Sequence, residues 1–323
     1  RLVRCFIHVG PSKLRPDQGV SWIRNARIRV DFQDTWHHCY NRIAGTSKDL
    51  PFQDIEKEQF VRLLKRVCQL YTVRVVSYQV MSNHYHLLLQ APVNEASPEE
   101  VCRRYAVFHG GKRFIEPDSP ACRIWQGRCR DVSWFMRHLQ QLFTVWYNRS
   151  RPLRRRGSLW ADRYKNTILE TGVAVWSCWN YIENNPVRAG MVADAADYRF
   201  CSHGTWHQTG RHPFQEHVTA LILPLMCSLF GITTLNEVRD RMDQALAAKA
   251  ERESTDTSFT MTVQRRVRHW TSGLVIGSEL YVRSVMSRQR NAASAHQHRL
   301  ASSRHTSDPP LYAWRRLRAI TPL

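Results

Sequence analysis

Residues 78–90 read YQVMSNHYHLLLQ, and this stretch decides how the rest of the chain is to be placed. Val80 and the run Leu87-Leu88-Leu89 belong to buried strands, while Met81-Ser82-Asn83 is turn-like, so the segment predicts a hairpin with His84 and His86 on its second arm. Side chains on a strand alternate between faces, so both imidazoles project the same way. That face has a use for two nitrogen ligands or two protons. The plainer alternative is a pair of hydrogen-bonded histidines, which asks for no partners elsewhere in the chain.

Working outward, IEKEQFVRLLKRVCQLY upstream places Phe60, Leu63, Leu64, Val67 and Leu70 on one helical stripe, and ARIRVDFQDTWHHCYNRIAG before it is strand-like. Downstream, 91–129 is rich in Pro, Gly and charge and is expected to be an insertion with one short helix around Glu99–Phe108. Asp131 is a good N-cap for the helix VSWFMRHLQQLFTVWYNR, whose apolar face holds Phe135, Leu139, Leu142, Phe143 and Trp146. A basic loop and a strand follow in SRPLRRRGSLWADRYKNTILE, then a helix GVAVWSCWNYIENN, expected to stop at Pro186. The order β-α-β-β-α-β-α predicts an α+β fold, a single antiparallel sheet with helices on one side. Residues 1–25 are expected to be a tail outside the fold, 26–214 the main domain, and 215–323 a mainly helical, Arg-rich extension.

Lys and Arg number 47 against 27 Asp and Glu, a formal charge of +20 over 323 residues, which favours a polyanionic partner, nucleic acid first. No apolar run is long enough to span a bilayer, so no membrane role is expected. Nine scattered cysteines without a CxxC pair predict reduced thiols in a cytoplasm and argue against a disulfide framework and a structural zinc site.

In WSCWNYIENNPVRAG, Tyr181 and Asn185 are four apart and share a helix face. Each has an ordinary explanation: Asn185 as a helix terminator, Tyr181 as a core aromatic. Taken with His84 and His86, however, two imidazole nitrogens and one amide oxygen make three neutral ligands for a divalent cation with positions left open. A tyrosine hydroxyl beside that cation is a nucleophile able to attack phosphorus and leave a 5′-phosphotyrosine. Tyr164 is the rival nucleophile, but the residue four on is Ile168, so packing or stacking on a base suits it better. For DNA contact, Arg149, Arg151, Arg154, Arg155, Arg156, Arg163 and Lys165 with Trp160 among them combine cations and an aromatic suited to phosphates and an unstacked base. A second basic set comprises Arg265, Arg266, Arg268, His269, Arg315, Arg316 and Arg318 with Trp314.

VMSNHYHLLL closely resembles the MPNHxHLL motif of single-tyrosine HUH transposases, and YIENNPVRAGMV resembles the YIxxNPVRAGLV motif of REP-associated tyrosine transposases. TWHHCYNRIAG, WFMRHLQQLFTVWYNR and GSLWADRYKNTILE resemble further blocks of that family in the same order, over roughly 27–205. The resemblance implies a ferredoxin-like HUH fold and cleavage and rejoining of single-stranded or hairpin DNA with Mg²⁺ or Mn²⁺ and no small-molecule cofactor. It implies His84, His86 and Asn185 as metal ligands, Tyr181 as nucleophile, a nucleoid-associated location in bacteria, and either a monomer or a homodimer. Ser82 stands where the motif usually has Pro, and the region after 215 lies outside the shared blocks. A hairpin-binding protein without turnover and a metallonuclease that activates water are the competing functions.

Overall fold

The computed structural model describes residues 28, 30–45, 50–151, 155–255, 270–271, 273–288, 298–302 and 311–316. The expected tail 1–25, Arg154, and the basic residues Arg265, Arg266, Arg268, His269 and Arg318 lie outside the described residues.

The architecture is α+β. In chain order come β1 (Thr35–Arg42), α1 (Asp54–Leu70), β2 (Arg74–Val80), β3 (His84–Ala91), α2 (Pro98–Phe108), α3 (Pro120–Cys129), α4 (Val132–Arg149), β4 (Lys165–Leu169) and α5 (Val173–Glu183). They are followed by α6 (Asn185–Arg188), α7 (Ser202–Thr209), α8 (Gln215–His217), α9 (Leu223–Phe230), α10 (Leu235–Thr255), β5 (Gly273–Gly277), α11 (Glu279–Arg288), β6 (His298–Ser302) and β7 (Tyr312–Arg316). The strands form one sheet in the order β2-β3-β1-β4-β5-β7-β6. Its first four strands are antiparallel, and β5 joins β4 in parallel.

Helices cover both faces of the sheet, not one as the sequence pattern suggests. The alternation along β3 is the cause: Tyr85, Leu87 and Leu89 pack against α1 and α4, beside Phe60, Leu64, Phe135, Leu139 and Phe143. Leu88 points the other way, into a second cluster with Val175, Cys178 and Ile182 of α5. Each fully buried side chain of this size contributes about 1.5–3 kcal/mol, so both faces need a helical cover. An irregularity in β2 between Val75 and Ser77 puts Val76 into the second cluster and aims Ser77 at α5 as well.

Three further elements depart from expectation. The 91–129 segment holds two helices; α3 escapes a periodicity search because its start is set by Ser119, whose Oγ accepts from Cys122 N at 3.1 Å with Pro120 following, and not by an apolar stripe. The extension is helical through α10 but then adds β5, β6 and β7 to the sheet; β6 and β7 pair with each other, but segments as short as HRLAS and YAWRR carry little strand pattern of their own. Pro186 does not end the helical run but sits at the start of α6, where its missing N–H costs nothing. Asp131 caps α4 as expected, accepting from Ser133 N at 2.6 Å.

Among the described residues no single helix is long and apolar enough to cross a membrane, and the apolar α9 region buries Val218, Ile222, Leu225 and Met226 in the second cluster.

Candidate active site

The second cluster ends in a polar patch where β1, β3, α5 and α6 meet. Trp36, His38 and Tyr40 alternate onto this side of β1, and His84 and His86 onto the same side of β3, with Tyr40 paired to His86 across the ladder. Gly172, at φ +109°, turns the chain out of β4 into α5, which lies over this face and brings Tyr181 with it. The Tyr181 ring stands edge-on to His86 at 5.7 Å and to His38 at 5.8 Å between centroids. The His84 and His86 rings are 5.3 Å apart, nearly perpendicular.

Hydrogen bonds set the tautomers of both imidazoles. His84 Nδ1 lies 2.7 Å from Asn83 Oδ1, which can only accept, so Nδ1 carries the proton and Nε2 keeps its lone pair. For His86 the chain is longer. His38 Nδ1 meets the carbonyl oxygen of Trp270 at 3.1 Å and therefore donates. Burial lowers the His38 pKa to about 4, so the ring is neutral and its Nε2 accepts from His86 Nδ1 at 2.8 Å. His86 is thereby left with an unprotonated Nε2. Burial also pushes the His84 pKa down to about 4 and that of His86 well below its ordinary value, with the positive charge of Arg188 adding to both. Two neutral imidazoles with Nε2 lone pairs on one strand face are the donor set a divalent cation takes, each held by a partner on its other nitrogen.

Arg188, part of α6, is the residue the sequence reading missed although it stands inside the quoted PVRAG motif. Its guanidinium lies 4.5 Å from the Tyr181 ring centre and donates from Nη2 to Asn185 Oδ1 at 2.5 Å. The Asn185 oxygen is thus engaged by Arg188 in this conformation. Asn185 Nδ2 and Arg188 Nε are buried donors without a hydrogen-bond partner among the described residues. Burial raises the pKa of the Tyr181 hydroxyl, and Arg188 opposes that rise. Trp270, tilted at 5.6 Å, covers the Tyr181 ring, which is 4% exposed.

The structure brings His84, His86, Tyr181 and Asn185 into one patch, and His38, Arg188, Tyr40 and Trp270 join them. The HH pair at 37–38 was the available signal for His38, because only the second imidazole shares the period of Trp36 and Tyr40. Tyr164 packs in the first cluster and donates to Ser133 Oγ at 3.3 Å.

The basic residues divide. Arg149, Arg155, Arg156, Arg163 and Lys165 are exposed. Arg155 donates to Asn148 Oδ1 at 3.1 Å, and Lys165 reaches over the Tyr40 ring that stacks on His86, at the edge of the patch. Arg151 is tied down by the buried carboxylate of Glu56 and lies 4.1 Å over Tyr147. Trp160 packs edge to face on Tyr85 at 5.4 Å, and its Nε1 donates to Thr144 Oγ1 at 3.0 Å, so its ring belongs to the margin of the first cluster.

No protein-family model matches the sequence, and no curated protein matches it significantly. A solved structure described as a REP-associated tyrosine transposase bound to a REP hairpin is similar to this chain. The match covers 59% of this chain and 90% of that one, at 14% identity and a TM-score of 0.39.

Proposed function

We propose that this chain is a metal-dependent, tyrosine-nucleophile DNA strand transferase acting on single-stranded or hairpin DNA. One observation carries the proposal: the Tyr181 ring lies against His86 and under the Arg188 guanidinium, in a patch where His84 and His86 present Nε2 lone pairs and two buried donors, Arg188 Nε and Asn185 Nδ2, lack partners among the described residues. Unpartnered buried donors cost about 1–3 kcal/mol each, a cost that phosphate oxygens would repay. A divalent ion, Mg²⁺ or Mn²⁺, held by His84 and His86 would polarise the scissile phosphate. Asn185 would complete the ligand set by turning its oxygen away from Arg188, freeing the guanidinium for the phosphate. The Tyr181 oxygen attacks phosphorus and forms the new ester as the bond to the 3′-oxygen breaks; the phenol proton is lost and the departing 3′-oxygen gains one, leaving a 3′-hydroxyl. The 5′-phosphate stays on the tyrosine, and attack by a second 3′-hydroxyl reverses the step and rejoins strands. Arg188 counters charge on the phenolate and on the phosphate in the transition state. The exposed cations Arg149, Arg155, Arg156, Arg163 and Lys165 would hold the flanking backbone.

Burial of Tyr181 under Trp270 favours a second reading, a hairpin-binding protein in which the tyrosine never meets a phosphate. Incubation of the protein with end-labelled hairpin DNA and Mn²⁺, followed by denaturing electrophoresis, separates them. A covalent protein–DNA adduct is expected, lost completely in Tyr181→Phe while hairpin binding persists. An adduct that survives this substitution overturns the assignment of the nucleophile, cleavage without an adduct points to water, and no cleavage supports the binding module.

A further inference from the structure

Away from this patch, α7 and α10 bring together His203, His207 and Asp243, whose ligand atoms all lie within 4.8 Å of one another. We infer that these three side chains form a metal site of their own, selective for a borderline divalent ion such as Zn²⁺, that fastens α10 to the core. His203 and His207 are one turn apart on α7 and project from one side, their ring centres 4.6 Å apart. Both Nε2 atoms lie 2.9 Å from the same oxygen, Asp243 Oδ1. His207 makes a hydrogen bond there; His203, only 2% exposed, faces the same oxygen as an ion-pair contact, and among the described residues its Nε2 has no hydrogen bond of good geometry. Two imidazole nitrogens and one carboxylate oxygen converging in this way are a donor set that a tetrahedral ion takes, with one position left for a fourth ligand. Ligand-to-metal distances of about 2.0–2.2 Å are reached by small side-chain rotations. His207 and Asp243 are 31% and 39% exposed, so a fourth position would open toward solvent.

The site is built on a rigid floor. Gly204 lies against the Tyr198 backbone so closely that a Cβ there would fall 2.1 Å from the carbonyl oxygen, so α7 packs flush on that segment. The backbone N–H of His203 donates to Glu183 Oε2 at 3.3 Å, tying α7 to the helix that carries Tyr181. An ion here would couple α10 to that helix. The donors are imidazoles and a carboxylate, a set the cysteine pattern gives no hint of, and the inference stands independently of the proposed DNA chemistry.

The test uses the full chain stripped of metal, with His84→Ala/His86→Ala as a background that removes the other imidazole pair. Zn²⁺ titration by calorimetry, with Co²⁺ absorption as a reporter of tetrahedral geometry, is expected to give about one equivalent in that background. Affinity should fall at least about tenfold on adding either His207→Gln or Asp243→Asn, both part-exposed positions that keep the fold. In the same background, Zn²⁺ should also raise the melting temperature of the protein with Asp243 intact but not of the one carrying Asp243→Asn. No stoichiometric Zn²⁺ in the His84→Ala/His86→Ala background, or binding unchanged by both substitutions, would overturn the inference.

Discussion

At the scale of single residues, the property that matters is which nitrogen holds a proton. His38 is not placed to touch a substrate; it acts through His86 by accepting at Nε2 while the Trp270 carbonyl holds its own Nδ1 proton. Removing that acceptor would let His86 exchange tautomers and lose the orientation of its lone pair. On the proposed reading, His38→Phe should weaken Mn²⁺ binding about 10–100-fold, the usual cost of losing a partner of a metal-bound imidazole. His38→Gln should recover most of it, because a glutamine oxygen can accept from His86 while its N–H₂ donates to the Trp270 carbonyl. Electron paramagnetic resonance of free Mn²⁺ measures both, and equal losses in the two variants would mean that His38 serves packing alone.

At the scale of elements, α5 is held in place from its far end. Glu183, fully buried, accepts from Ser77 Oγ at 2.8 Å, Trp179 Nε1 at 3.0 Å and Ser202 Oγ at 2.5 Å, besides His203 N. One carboxylate therefore joins β2, α5 and α7. Glu183→Ala would strand four buried donors and should cost at least about 3 kcal/mol, read from the urea midpoint, while Glu183→Gln, which keeps one good acceptor, should cost clearly less. A substitution to Ala that leaves the midpoint unmoved would show that water replaces the carboxylate. Glu183 was visible beforehand as an acid inside an apolar helix, yet nothing local says what it binds. The legible features were those written in local periodicity or caps: the His84/His86 hairpin arm, the α1 stripe and the Asp131 cap; Tyr181 lies on α5 as expected, but Asn185 opens α6. Arg188 was hidden by the expectation that Pro186 ends the helix, although the chain makes one more turn and returns the guanidinium to Tyr181. The three late strands were hidden because they are short and carry little alternation, and because the contact that joins them to the sheet, β4 with β5, is far apart in sequence.

At the scale of the whole molecule, the +20 charge is only a permissive fact until the cations that are free to meet phosphates are separated from those already spent. Arg151 is spent: its guanidinium neutralises buried Glu56 and stacks on Tyr147. Arg149, Arg155, Arg156, Arg163 and Lys165 are exposed and run from the end of α4 to the start of β4, the strand paired with β1 beside the candidate site. If each of these five neutralises one phosphate, counterion release gives a slope of log affinity against log salt of roughly −4 for hairpin DNA. Fluorescence anisotropy with a labelled hairpin across a range of NaCl concentrations measures it. Replacing Arg155, Arg156 and Arg163 together with Ala should flatten the slope by roughly two to three, because three released ions are lost, while melting temperature stays put. Arg151→Ala should do the reverse, lowering the melting temperature by stranding the Glu56 carboxylate and leaving the slope nearly unchanged. If Arg151→Ala flattens the slope as much as the triple change does, the DNA path runs elsewhere than along this loop.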